Sequence, residues 1–257
     1  MSQSTNSQKP TITFIVPALN EEQVITATVD EIIQVSQGRF SEYEMLLIND
    51  GSADATGELM QDLARRYHHV RVINNDGNIG LGACYRLGCL LARYEYVMLL
   101  CGDGGMPASS LPAIFDKIGA ADIVIPYCEN LRQIKTSGRY FLSRGYTLLL
   151  NLLFGLRLHY YNGLPVHRLE LVRSVGNESE GFGFQAEILV KLLMAGCSYV
   201  EVGVDGAERT NRSSALRMKN LVNVSRTIVN LVRYSLAKKQ RKGDVSIHRQ
   251  SVRSTRT

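Results

Sequence analysis

The stretch YEMLLINDGSADATGELMQDLARRYHHVRVIN, Tyr43 to Asn74, decides how the chain is read. Tyr43 to Asp50 is an apolar run that stops at the turn sequence Asp50-Gly51-Ser52, and so reads as a buried strand. From Ala53 to Tyr67 the residues Leu59, Met60, Leu63 and Ala64 fall on one face of a helix. Val70 to Asn74 is a second strand. Strand, helix and strand in so short a span predict a parallel pair with the helix laid across it.

The alternation continues outward. Thr11 to Leu19 is a strand entering a loop at Pro17, and Glu21 to Gln37 carries Val24, Ile25, Val29, Ile32, Ile33 and Val35 at helical spacing. Leu81 to Arg93 reads as a helix, Tyr96 to Cys101 as a strand, Pro107 to Ile118 as a helix and Asp122 to Tyr127 as a fifth strand. Residues 11–127 therefore predict a mostly parallel, doubly wound α/β sheet with helices on both faces. In the second half, Arg139 to Gly155 is a long, very apolar helix. Glu187 to Ala195 is helical, Tyr199 to Val204 is a strand, and Leu216 to Leu236 is a last helix.

Composition agrees with one domain over 11–236. The 257 residues are 45% hydrophobic and 21% charged, with no tryptophan. The net charge of +5 belongs to the end of the chain, where residues 237–257 hold seven basic side chains against Asp244 alone. That tail has too few apolar residues to pack and reads as disordered, like the polar lead 1–10. It suits an anionic membrane surface, with a solvated terminus as the plainer alternative and no specific nucleic-acid motif in view. Five cysteines without CxxC spacing read as buried, reduced thiols of a cytosolic protein. The lead has no apolar signal core, and no stretch reaches the roughly 20 apolar residues of a spanning helix.

Several chemistries are disfavoured. Gly80-Leu81-Gly82 opens a helix after a strand, but Tyr85 stands where a dinucleotide fingerprint needs its third glycine. The pair still suits a close-approach loop with helix-start amides open to a phosphate. No GxSxG supports a hydrolase, the histidines and cysteines lack zinc spacing, and His68-His69 read as a solvated helix end. What remains is a set of polar residues after parallel strands: Asn20, Glu21 and Glu22 after the first, Asp50, Ser52 and Asp54 after the second, and Asp103 in CGDGGMP after the fourth. Parallel strands bring such ends to one edge, where ligands bind in open α/β sheets.

Those residues resemble the inverting family 2 glycosyltransferases of the GT-A fold. IVPALNEE (15–22) resembles their opening strand and loop, INDGSADAT (48–56) their DDGSxDxT turn with Asn49 in the first aspartate's place, and NIGLGACYRLG (78–88) their NxGxGxAxxxG segment. The second half resembles the dolichyl-phosphate mannosyltransferase and polyprenyl-phosphate sugar transferase branch: SRGYTLLLNLLFGL (143–156), YYNGLPVHR (160–168), FGFQAEILVKLLMAGCSYVEVGV (182–204) and ERTNRSSALR (208–217). The resemblance implies a nucleotide-sugar-binding half, 11–127, and an acceptor-side half, 128–236.

It also implies roles. Pro17, Asn20, Glu21, Asp50, Ser52, Gly80 and Gly82 would surround the nucleotide sugar. Asp103 would hold a divalent metal, Mg or Mn, on the diphosphate, although Cys101 and Gly105 stand where the family carries further oxygen ligands. Arg209 and Ser214 would close over the donor phosphates, and Arg139, Ser143 and Arg144 would meet the acceptor phosphate. The catalytic set is then Asp103, Arg139 and Arg209. The implied reaction moves a sugar from a nucleotide diphosphate to a polyprenyl phosphate, at the inner face of the membrane. A saccharide or protein acceptor is the alternative and would need a carboxylate base, for which Glu187 is the candidate. A nucleotide-sugar-binding protein with weakened catalysis is the other.

Overall fold

The structure, a computed structural model, describes residues 9–179, 181, 183–206 and 223–238. Its first half follows the alternation. β1 (Thr11–Ala18), α1 (Ile25–Ser36), β2 (Glu42–Asn49), α2 (Thr56–Arg66), β3 (Val70–Asn74), α3 (Leu81–Leu91) and β4 (Tyr96–Leu99) succeed one another through short loops. A 3₁₀ turn (Ala108–Ser110) and a short α4 (Leu111–Phe115) replace the single helix expected over 107–118. Pro112 explains the break, since it has no N–H to donate back to the preceding turn, and the Ser110 hydroxyl beside it donates to the Asp205 carbonyl at 2.7 Å.

β5 (Ile123–Cys128) is followed by α5 (Leu131–Ile134), α6 (Ser137–Phe154), β6 (Val166–Arg168), α7 (Leu169–Val175), α8 (Phe184–Ala195), β7 (Tyr199–Val204) and α9 (residues 223–238). The seven strands form one sheet in the order β3-β2-β1-β4-β6-β5-β7. All neighbours are parallel except β6, which runs antiparallel between β4 and β5. Neither β6 nor α7 was expected from the sequence.

β1 lies between β2 and β4 and is buried along nearly its whole length. Its alternation splits the core in two. Ile12, Phe14 and Val16 pack with Val29, Met60 and Phe115 on one face. Ile15 packs with Tyr85, Leu150, Phe184 and Leu231 on the other. Helices therefore cover both faces: α1, α2 and α4 one, α3 and α6 to α9 the other. α3 lies very close to β1, because a Cβ on Gly88 would stand 2.6 Å from the Ile15 side chain.

Two expectations about polar residues change here. His69 is half-buried against the Tyr43 ring at 4.5 Å, so burial holds its pKa down and only His68 is a solvated helix end. The five cysteines are free, but just Cys84 and Cys89 are buried, their thiols pushed up to about 12 by burial. Among the described residues no helix is long and apolar enough to cross a membrane.

His167 on β6 is fully enclosed, accepts or donates one hydrogen bond with Tyr85 at 3.0 Å, and has an unpartnered Nε2. Burial lowers its pKa to about 3. Below about pH 6.5 the unfolded chain binds a proton there that the folded chain refuses, so stability falls as pH falls toward 3. Urea denaturation across this range is expected to show a limiting slope of about 1.4 kcal/mol per pH unit from this group. His167→Gln should flatten the acid limb by that contribution.

Candidate active site

The parallel pairing of β2, β1 and β4 delivers three strand ends to one edge, and backbone bonds carry the alignment past the strands. The Asp50 amide donates to the Ala18 carbonyl at 3.0 Å, and the Gly102 amide donates to the Pro17 carbonyl at 3.0 Å. Pro17 and Ala18 are thus flanked by Asp50 on one side and by Gly102, the residue before Asp103, on the other. Gly102 is required by this approach: a Cβ there would lie 2.8 Å from Ala18 Cβ and 2.9 Å from Ile25 Cδ1. Asp103 follows, its Oδ1 accepting from the Gly105 amide at 2.9 Å. Cys101 and Gly105 beside it bring no side-chain oxygen.

The two loops after β1 and β2 are cross-linked. Asn20, at a left-handed φ of 56°, donates its amide to Ser52 Oγ (3.0 Å) and accepts from the Ala53 amide (2.8 Å). The Glu21 amide donates to Thr56 Oγ1 at 2.8 Å, and Glu22 and Asp54 exchange bonds with the opposite loop. Burial would raise the Asp54 pKa, but hydrogen bonds from Thr56 and Glu22 outweigh it and hold it low. Asn49 uses both ends of its amide, donating to Asn74 (3.1 Å) and accepting from the Ser52 amide (3.0 Å). An aspartate, which only accepts when ionised, could not make the first bond.

Asp50 is 5% exposed. Its carboxylate accepts from the Asn75 side chain (3.0 Å) and from the amides of Ile79 (2.9 Å) and Gly80 (3.1 Å). Asp50 thus takes the two amides that lead into α3, those of Ile79 in the loop and Gly80 at the helix N-cap. Gly80 adopts φ 90° to present its amide, and Gly82 gives its carbonyl to Asn177 Nδ2 at 3.1 Å. Thr56 closes the INDGSADAT turn quoted above, whereas Asn75 and Asn177 were not singled out in the sequence. Amide donors of this kind carry no pattern that would have found them.

On the acceptor side, Arg139 and Ser143 are one turn apart on α6 and share a face. Ser143 Oγ accepts from Lys135 Nζ at 3.3 Å, and Lys135 also donates to the Tyr160 hydroxyl at 3.1 Å. Arg144 lies about 100° round the helix from Ser143, on a different flank. Glu187 is buried. Its carboxylate accepts from the amides of Glu178 (2.9 Å) and Ser179 (3.0 Å) and from Lys191 Nζ (2.6 Å). Burial would raise its pKa, yet these partners bring it below the usual carboxylate value. A carboxylate so held is a poor proton acceptor. Arg209 and Ser214 lie outside the described residues, among which no group of three or more His, Cys, Asp or Glu side chains could hold a metal ion.

This architecture is that of the GT-A nucleotide-sugar transferases. Glucosyl-3-phosphoglycerate synthase from Mycobacterium tuberculosis, solved with Mg2+ and UDP, superposes with a TM-score of 0.67 at 19% identity, over 87% of this chain and 79% of that one. The model of glycosyl transferase family 2 matches residues 13–170, and the chain belongs to that family. Dolichyl-phosphate beta-glucosyltransferase ALG5C of Trichomonas vaginalis is 34% identical over 41% of this chain, and the match spans about a third of that relative's length. Undecaprenyl-phosphate mannosyltransferase of Micrococcus luteus is 25% identical over 87% of this chain and 93% of its own.

Glu187→Gln leaves Lys191 buried beside a neutral partner. The expected loss of stability is about 3 kcal/mol, read from urea midpoints, with no change in the pH at which the enzyme works. Asp50→Asn turns a donor toward the Ile79 and Gly80 amides, and amide exchange in 75–80 should speed up more than in α8.

Proposed function

We propose that the chain is an inverting glycosyltransferase that moves a sugar from a nucleoside diphosphate sugar onto the phosphate of a polyprenyl phosphate. It works at a membrane surface, on the cytoplasmic side. The observation that carries the lipid acceptor is α6. Of its 18 residues only Thr147 and Leu150 are fully buried, whereas Phe141 is 70%, Leu148 60% and Leu152 74% exposed. Such a face meets hydrocarbon more readily than water, and it lies on the helix that bears Arg139 and Ser143. The basic tail, residues 237–257, would add a second, electrostatic attachment. The relatives named for dolichyl and undecaprenyl phosphates support the same reading.

The donor would lie along the edge formed by Pro17, Asn20, Glu21, Ser52 and Asp103, with Asp50 and Gly80 shaping the loop beside it. Arg209 and Ser214 would cover the diphosphate. Acceptor phosphate oxygen attacks the anomeric carbon, the bond from that carbon to the donor diphosphate breaks, and the configuration inverts. The phosphate is already anionic, so no base is needed, and the weak basicity of Glu187 fits this acceptor better than a saccharide hydroxyl. Arg139, with Lys135 beside Ser143, would offset repulsion between the two anionic reactants.

A divalent ion, when bound, would neutralise charge on the departing diphosphate. Asp103 would hold it alone among the protein's side chains, with diphosphate oxygens and water completing the shell, as hard Mg2+ accepts. Neighbouring folds solved with Mn2+ and a UDP sugar support that pairing.

The test measures label passing from nucleotide sugar into an organic-extractable lipid. Asp103→Asn is expected to lower the rate by about 100-fold or more, and EDTA to abolish transfer until Mn2+ or Mg2+ is restored. Full transfer by Asp103→Asn would remove Asp103 from the mechanism. Label entering only water-soluble saccharide would favour the alternative acceptor.

A further inference from the structure

A pocket of about 360 Å³ opens on the flank of α6, between Arg144, Leu148 and Asn151 on the helix and Arg157 and His159 on the chain that leaves it. Part of its wall is committed. Asn151 bonds both ways with the Leu158 backbone (2.9 and 3.1 Å) and accepts from the Tyr161 hydroxyl (2.9 Å). His159 stacks on Tyr127 at 4.6 Å and holds Glu201 at 2.8 Å. That pairing answers the Glu201 carboxylate. Arg144 and Arg157 are both exposed, and neither is paired among the described residues. Their neighbours along the helix are the exposed Leu148 and Leu152.

Two unpaired guanidinium groups at a fixed wall suit a phosphate, which each can grip bidentately. The exposed leucines beside them suit a phosphate that carries an apolar remainder. We infer that this pocket is a subsite for the headgroup phosphate of an anionic membrane lipid, separate from the acceptor-phosphate site proposed at Arg139 and Ser143. The inference rests on the membrane-facing reading of α6. It gives Arg144 a partner on its own flank of the helix. Leu148 and Leu152 enter the acyl region while Arg144 and Arg157 stay at the level of the headgroups, so the helix is held in depth as well as in plane.

The test is flotation of the full chain with vesicles of phosphatidylcholine alone or with added phosphatidylglycerol. The wild type should bind the anionic vesicles more tightly, and excess inorganic phosphate should not release it, as it would from a site for free phosphate. Arg157→Gln should weaken binding to anionic vesicles about fivefold and leave binding to neutral vesicles unchanged. Arg157→Lys keeps the charge but loses the planar fork, and it should restore only part of the affinity. Arg157→Lys equal to wild type would assign the effect to diffuse charge and overturn the subsite, as would Arg157→Gln equal to wild type. Leu152→Asp should weaken binding to both vesicles. A wild type that binds neither would overturn the membrane reading and the subsite together.

Discussion

The edge proposed to hold the donor depends on one buried carboxylate. Asp50 sits at the end of β2 with little access to water, where an unsatisfied charge would be expensive. Three N–H donors answer it, all from residues 75–80. The loop after β3 is thereby drawn to the end of β2, and Gly51 must pass so close that a Cβ there would stand 2.7 Å from the Gly77 backbone. α3 then starts at a fixed place and angle, which sets Gly88 against Ile15 and Tyr85 in the core. Asn20, Ser52, Glu22 and Asp54 lock the first two loops in turn. The edge is shaped by the chain's own bonds, which is what the proposed electrostatic stabilisation of a diphosphate would require.

How much of this was legible depended on periodicity. β1, β3 and β7 were readable almost to the residue, because their apolar runs are bounded by turn residues. β6 was not, since three residues including His167 and Arg168 make no period, and their strand character comes wholly from lying between β4 and β5. α4 was overextended because the backbone past Phe115 passes into turns, with the Lys117 amide donating to the Ile114 carbonyl and that of Ile118 to the Phe115 carbonyl, which an apolar spacing does not separate from a helix. The polar residues of the edge could be listed as neighbours once the strands were taken as parallel, but their duties could not. Asp50 and Glu187 look alike on paper as lone carboxylates, yet both are held by backbone amides, and an amide leaves no mark in a sequence.

α6 was the hardest to read for a related reason. A helix apolar on most of its circumference can be core or can face lipid, and composition does not separate the two. Packing does: Leu150 touches the second core while Phe141, Leu142, Leu148, Leu149, Leu152 and Leu153 stand outside it. The polar residues sort with equal clarity. Ser143 and Thr147 turn inward, and Arg144 marks the border between protein and apolar face.

The single antiparallel strand has a consequence for assembly. β3, β2, β1 and β4 can come together from the first hundred residues alone, and β5 with β7 pair over six registered positions. What joins these two blocks is β6, matched at three positions to β4 and at two to β5. It arrives only after the chain has run out along α6 and returned. The seam on either side of β6 is thus the narrowest join in the sheet, and it lies between the block proposed to hold the donor and the strands beneath the half proposed to meet the acceptor.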